Sequence, residues 1–207
     1  MILEPSPDLR SADASAPVAP NHYRGRAFLY VLVAAGAEDL LKVGLSHDPL
    51  ERWSAFHPRW FEAFDIDHSL LVETVDRADA QALETRLHRT LTDHHCPMPI
   101  TMRLAAGGRT EWYRGAYATL RRQLQAHAEA GHVVHWGARA WLTEAMRRQQ
   151  EQVFEILLAA QADHHAGWLS PQRLEALRNL VDAHRCFDSN WFGTLPGDCV
   201  DDLGLHG

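Results

Sequence analysis

From Arg26 to Gly36 the chain reads "RAFLYVLVAAG", a continuous β-branched and aromatic run that predicts a strand. "AGAED" is turn-like, and "LLKVGLS" (Leu40–Ser46) predicts a second strand, close enough to the first for an antiparallel hairpin. Asp48-Pro49 marks a helix start, with Asp at the N-cap and Pro at the first helical position, where an N–H is not needed. Pro58 stops that helix near His57. "FDIDHSLLVETV" (Phe64–Val75) alternates apolar and polar residues in its first half and predicts a third strand. Asp76 caps a longer helix, "DRADAQALETRLHRTLTDHH", in which Leu83, Leu87 and Leu91 form a core-facing stripe at helical spacing. Glu84 and His88 share a line beside that stripe. The Pro- and Gly-punctuated "CPMPITMRLAAGGR" predicts a loop, and "TEWYRG" leads into a helix from about Gly115 to Ala130, ended by Gly131.

From Ala138 the pattern changes. "ARAWLTEAMRRQQEQVFEILLAAQADHH" predicts one long amphipathic helix with Trp141, Ala145, Val153 and Leu157 on its apolar face. Ser170-Pro171 caps another helix through about His184. The tail from Cys186 onward is rich in turn residues and aperiodic, and Trp168, Trp191 and Phe192 read as satellite core. The expected architecture is α+β: a small antiparallel three-stranded sheet flanked by helices in the order β-β-α-β-α, with a helical C-terminal extension. Residues 1–22, rich in Pro, Ala and Ser, read as a disordered lead. Residues 23–136 read as the folded domain, and 137–207 as an acidic helical extension able to mediate self-association or bind a protein partner.

Composition narrows the function classes. The chain has 207 residues and a net charge of −7. The charge is uneven: −2 over residues 1–20, 0 over 21–125 and −5 over 126–207. A nucleic-acid role therefore has to rest on arginines clustered in the middle block. Candidates are Arg24, Arg26, Arg59, Arg86, Arg89, Arg103 and Arg109. No apolar run is long enough to span a bilayer, and the N-terminus lacks the basic and apolar regions of a secretory signal. Three cysteines with no CxxC fit reduced thiols in a cytoplasmic protein. His94-His95-Cys96 has no second ligand pair at zinc spacing, so a zinc site is not expected.

Only one lysine, Lys42, stands among the 20 basic residues, two positions before Gly44. With Tyr30, Arg52 and Glu84 it makes a set of phenol, ammonium, guanidinium and carboxylate, with no Ser/His nucleophile pair. Those groups suit phosphodiester hydrolysis. A guanidinium fork matches a phosphate, and a single carboxylate suffices for a Mg²⁺ that keeps most of its waters. A free phenol, with a pKa of about 10, is a weak base at neutral pH, and Lys42 is the cation expected to lower it. Gly44 would let a ligand approach the strand closely.

The string "FLYVLV…LLKVGLSHDPLERW…ALETRLH…TEWY" resembles the GIY-YIG nuclease superfamily, in the branch typified by phage-encoded DNA-binding open reading frames. "FLY" stands where the first motif ends in tyrosine, and Lys42-Val43-Gly44 takes the place of Y-I-G. Ser46, Asp48-Pro49 and Arg52 follow at the matching spacing, then Glu84, Leu87 and His88, and finally Glu111-Trp112-Tyr113. The resemblance implies an endonuclease that hydrolyses DNA with a water nucleophile and Mg²⁺ or Mn²⁺, DNA being favoured over RNA. Tyr30 would be the base or water-orienting group, Lys42 its polarising cation, Arg52 the phosphate clamp and Glu84 the metal ligand. His88 would assist beside the metal or phosphate. Gly44, Ser46 and the arginines would face nucleic acid. Glu111 and Trp112 read more readily as framework than as functional groups, with Trp112 filling core. A module that keeps the fold but only binds DNA or a protein is the alternative.

Overall fold

β1 (Ala27–Val33) lies at the centre of an antiparallel sheet in the computed structural model, which describes residues 26–103 and 108–206. The expected disordered lead and Arg24 fall outside the described residues. β2 (Leu40–Ser46) forms the anticipated hairpin with β1, pairing Tyr30 with Gly44 and Leu32 with Lys42. β3 (Leu70–Thr74) pairs on the other side of β1. The sheet has five strands rather than three, because two short edge strands complete it. β4 (Trp112–Arg114) joins β2, and β5 (Val134–Trp136) joins β3, giving the order β4-β2-β1-β3-β5.

The third strand begins later than its alternation suggests. Phe64 makes only an isolated bridge to Ala34. Asp65 then builds a turn, accepting from the backbone N–H of His68 through Oδ1 at 3.1 Å and from the Ser69 hydroxyl through its carbonyl at 2.7 Å. Local side-chain-to-backbone bonds here outcompete the ladder.

Each face of the sheet carries its own core. One face (Phe28, Tyr30, Leu32 and Leu71) packs against α1 (Pro49–Phe56), α2 (Trp60–Ala63) and α5 (Arg139–Arg147), through Trp53, Phe56, Trp60, Trp141 and Leu142. The other face (Leu29, Val31, Leu41, Val43 and Val72) packs against the Leu83–Leu87–Leu91 stripe of α3 (Arg77–Thr90) and against Leu120 and Leu124 of α4 (Tyr117–Glu129). Burying both faces explains why the central strands read as unbroken apolar runs.

The expected long helix is two. α5 ends at Arg147, and α6 (Gln150–His165) starts a separate cluster with α7 (Pro171–Phe187), α8 (Ser189–Phe192) and α9 (Gly197–Asp202). Although α5 lies beyond residue 136, it packs on the sheet. The tail is helical rather than irregular, and Trp191, Leu195, Val200 and Leu203 bury against Leu157 and Val181. Trp191 is core as expected, whereas Trp168 is 78% exposed. The two clusters are tied by Arg59, which donates to Asp182 Oδ2 at 2.8 Å and to Asn179 Oδ1 at 3.2 Å on α7. Among the described residues no helix is long and apolar enough to cross a membrane.

Candidate functional site at the β2–β4 edge

The hairpin register sets the site. Tyr30 and Gly44 are directly opposite one another, as are Leu32 and Lys42, so Tyr30, Lys42 and Gly44 share the face covered by α1. A Cβ on Gly44 would collide with the phenol oxygen and lie 2.6 Å from Tyr30 Cζ. The space left by the missing side chain is thus taken by Tyr30 itself, not held open for a ligand. Asp48 accepts from the backbone N–H of Glu51 at 3.0 Å and starts α1 where the sequence places it. That start brings Arg52 one turn in, its guanidinium close enough to the Tyr30 phenol to act on it and stacked 4.8 Å from the Phe56 ring centre.

Burial pushes the Tyr30 phenol up to about 12, and Arg52 only partly offsets this. The cation on the phenol is Arg52, not Lys42. Lys42 is 0% exposed, lies 5.4 Å from the Phe56 ring centre, and donates to the Gly108 carbonyl at 3.1 Å and to Glu111 Oε2. Burial pulls its ammonium below the usual lysine range, with Glu111 acting in the opposite direction.

Glu84 and His88 come from α3, on the other face. Glu84 is buried, accepts from Gln81 Nε2 at 2.8 Å through Oε2, and faces His88 Nε2 at 3.7 Å through Oε1. His88 Nδ1 meets the Tyr113 hydroxyl, and the two rings stack with centres 5.7 Å apart. The faces meet at the strand edge, because among the described residues the β2–β4 ladder covers only Leu40–Lys42 and gives Gly44 no ladder partner on that side. Glu84 and Glu111 both act on the Tyr30 phenol across this edge, and both raise Tyr113, whose burial takes it to about 12. Tyr30, Lys42, Arg52, Glu84 and His88 are therefore brought to one corner. Glu111, Tyr113 and Gln81 join them, and only Glu111 and Tyr113 stood in a recognisable sequence motif.

The remaining candidates divide. Ser46 spends its hydroxyl on the β2–α1 turn, donating to the Asp48 carbonyl at 2.8 Å. Arg26 pairs with Glu73 at 3.2 Å, and Arg59 is committed to Glu62 and α7. Arg86 and Arg89 are exposed on α3, and Arg103 and Arg109 on the loop before β4. A cavity of about 500 Å³ lies instead between α1 and α7, lined by Leu50, Trp60, Met146, Asn179 and His184 but by none of the corner residues. Its walls mix apolar and polar side chains, and it lies between the clusters, away from the strand edge where the candidate residues gather.

The fold and corner define an α+β domain with a half-buried guanidinium, a buried carboxylate and a sealed ammonium at one open strand edge. Residues 27–127, nearly half the chain, match the T5orf172 domain, a phage open-reading-frame family related to GIY-YIG-like and HNH-type nucleases. That match links this part of the chain to nuclease-like and DNA-binding domains by similarity. No curated protein and no solved structure matches the chain.

Proposed function

We propose that the sheet domain is a GIY-YIG-type endonuclease module that hydrolyses DNA phosphodiesters with water. The observation that carries this reading is the convergence of Tyr30, Arg52 and Glu84 from three elements on one strand edge. Arg52, half-buried beside Tyr30, would clamp the scissile phosphate with its guanidinium fork, offsetting the charge gained at phosphorus. Tyr30, 1% exposed and kept protonated by burial, would hold Arg52 in place rather than touch the attacking water or remove its proton.

Glu84 fits a hard divalent cation. It is a buried carboxylate steered by Gln81 and His88, and Mg²⁺ needs few protein oxygens because it keeps its waters and borrows those of phosphate. Among the described residues no cluster of three or more His, Cys, Asp or Glu is arranged as a cage, which favours Mg²⁺ or Mn²⁺ over a structural zinc. Bound there, the ion would supply Lewis-acid stabilisation of the leaving oxyanion. Arg86 and Arg89, exposed on the helix that carries Glu84, are the proposed backbone contacts to DNA.

The test is cleavage of single- and double-stranded DNA by the full chain in Mg²⁺. The wild type should cut, and Glu84→Ala should lose activity by at least about 100-fold. Absence of cutting by the wild type, with binding retained, would instead establish the DNA-binding reading.

A further inference from the structure

Lys42 is sealed from solvent, so its ammonium cannot touch a substrate. What it holds can. Lys42 donates to Glu111 Oε2, while the Glu111 side chain is 32% exposed. The carboxylate thus has one side against a buried cation and the other at the open strand edge. Gly108 completes the mount. Its φ is +65°, and a Cβ there would strike the Lys42 ammonium and lie 2.6 Å from Glu111 Oε2. Glu111 immediately precedes β4, and its carbonyl accepts from the Val43 N–H at 3.1 Å, so its backbone is tied to β2 as well. The charged and titratable neighbours are Lys42 on β2, Arg52 on α1, Glu84 and His88 on α3, and the Tyr30 and Tyr113 phenols.

Resting on the nuclease reading above, we infer that Glu111 is the general base and Lys42 its positioning residue. Tyr30 is too basic and too buried to act as a phenolate at neutral pH, which leaves the exposed carboxylate at the same edge as proton acceptor. In the step, a water oxygen forms the new P–O bond as the bond to the leaving sugar oxygen breaks, its electron pair staying on that oxygen. The water proton passes to the Glu111 carboxylate, and the leaving oxyanion takes a proton from bulk water.

Single-turnover DNA cleavage by the full chain tests this. Glu111→Gln, whose amide oxygen still accepts from Lys42, should cut about 10²- to 10⁴-fold more slowly, with KM and the Mg²⁺ dependence unchanged. Glu111→Asp, which keeps the charge, should retain intermediate activity and serves if the Gln variant is unfolded by circular dichroism. Because Lys42 is the only lysine, its side-chain ¹⁵N resonance is unambiguous, and its deprotonation should move to lower pH in Glu111→Gln. A Gln variant that cuts at the wild-type rate overturns the inference and leaves the nuclease reading standing. So does one whose defect is repaired by more Mg²⁺, since Glu111 would then be a metal ligand. A wild type that does not cut overturns both.

Discussion

The sheet domain and the C-terminal helical cluster each bury one basic side chain, and they treat it oppositely. Lys42 is 0% exposed and His184 is 1% exposed, and burial lowers the proton affinity of both. Lys42 is given a carboxylate and a carbonyl. His184, packed 4.6 Å from the Trp191 ring centre, has no hydrogen-bond partner at Nε2 among the described residues and drops to about 4, so it sits neutral at physiological pH. A buried group that can discard its charge can be packed as an aromatic. One that is kept charged needs a built counter-ion, and building one is worthwhile where the counter-ion has work to do.

That contrast is broken most directly at Lys42. Lys42→Met keeps the apolar stem and removes the ammonium, leaving Glu111 and the Gly108 carbonyl without their donor. The expected loss is about 1–3 kcal/mol of unfolding free energy by denaturant titration, because the Gly108 carbonyl loses its buried donor while part-exposed Glu111 can still reach water. A loss under about 1 kcal/mol would mean that Glu111 turns fully to water and that the pair holds nothing in place.

The helical cluster should show its difference through pH. An unfolded histidine titrates at about 6.5 and folded His184 at about 4, so between these values the unfolded chain binds the extra proton. His184 therefore costs no stability above pH 6.5, and stability falls as pH drops through that window. Below pH 4 the loss is on the order of 3 kcal/mol. His184→Phe, which keeps a ring beside Trp191, should flatten this part of the Tm-versus-pH curve. A variant curve parallel to the wild type would show that His184 is not the acid-sensitive group.

Much of this was legible in the chain, for reasons that differ by element. β2 has the same limits in sequence and structure, and the Asp48-Pro49 and Ser170-Pro171 starts are real caps, accepting from Glu51 and Arg173 N–H groups. These signals are local. β4 and β5 were missed because three-residue strands carry no period, and their identity comes from partners such as Lys42 opposite Trp112 and Val72 opposite Val134. The α5–α6 break falls at Arg148-Gln149, where no Gly or Pro marks it. At the site, Tyr30, Lys42, Arg52 and Glu84 were visible as residue types in order. Their wiring was not, since Lys42 and Glu111 are 69 positions apart. The lone lysine stood out in the sequence, but its burial and its carboxylate partner came only with the fold.

Gly44→Ala is the smallest change that distinguishes a packed corner from an open one. If Gly44 were vacant space awaiting a ligand, a methyl group would leave the free protein untouched and weaken only substrate binding. Here the methyl group meets the Tyr30 ring, with Cζ at 2.6 Å from the new Cβ. Tyr30 is 1% exposed and boxed in by Trp53, whose ring centre lies 6.1 Å away, so it has little room to withdraw. Overpacking of this kind costs about 1–3 kcal/mol, and we expect about 2 kcal/mol in the free protein by thermal or urea unfolding. In the assay that would follow, displacement of the phenol should lower kcat more than it raises KM, because Tyr30 and Arg52 move as a pair. An unchanged Tm with a raised KM would restore the open-groove view and remove Tyr30 from the corner described above.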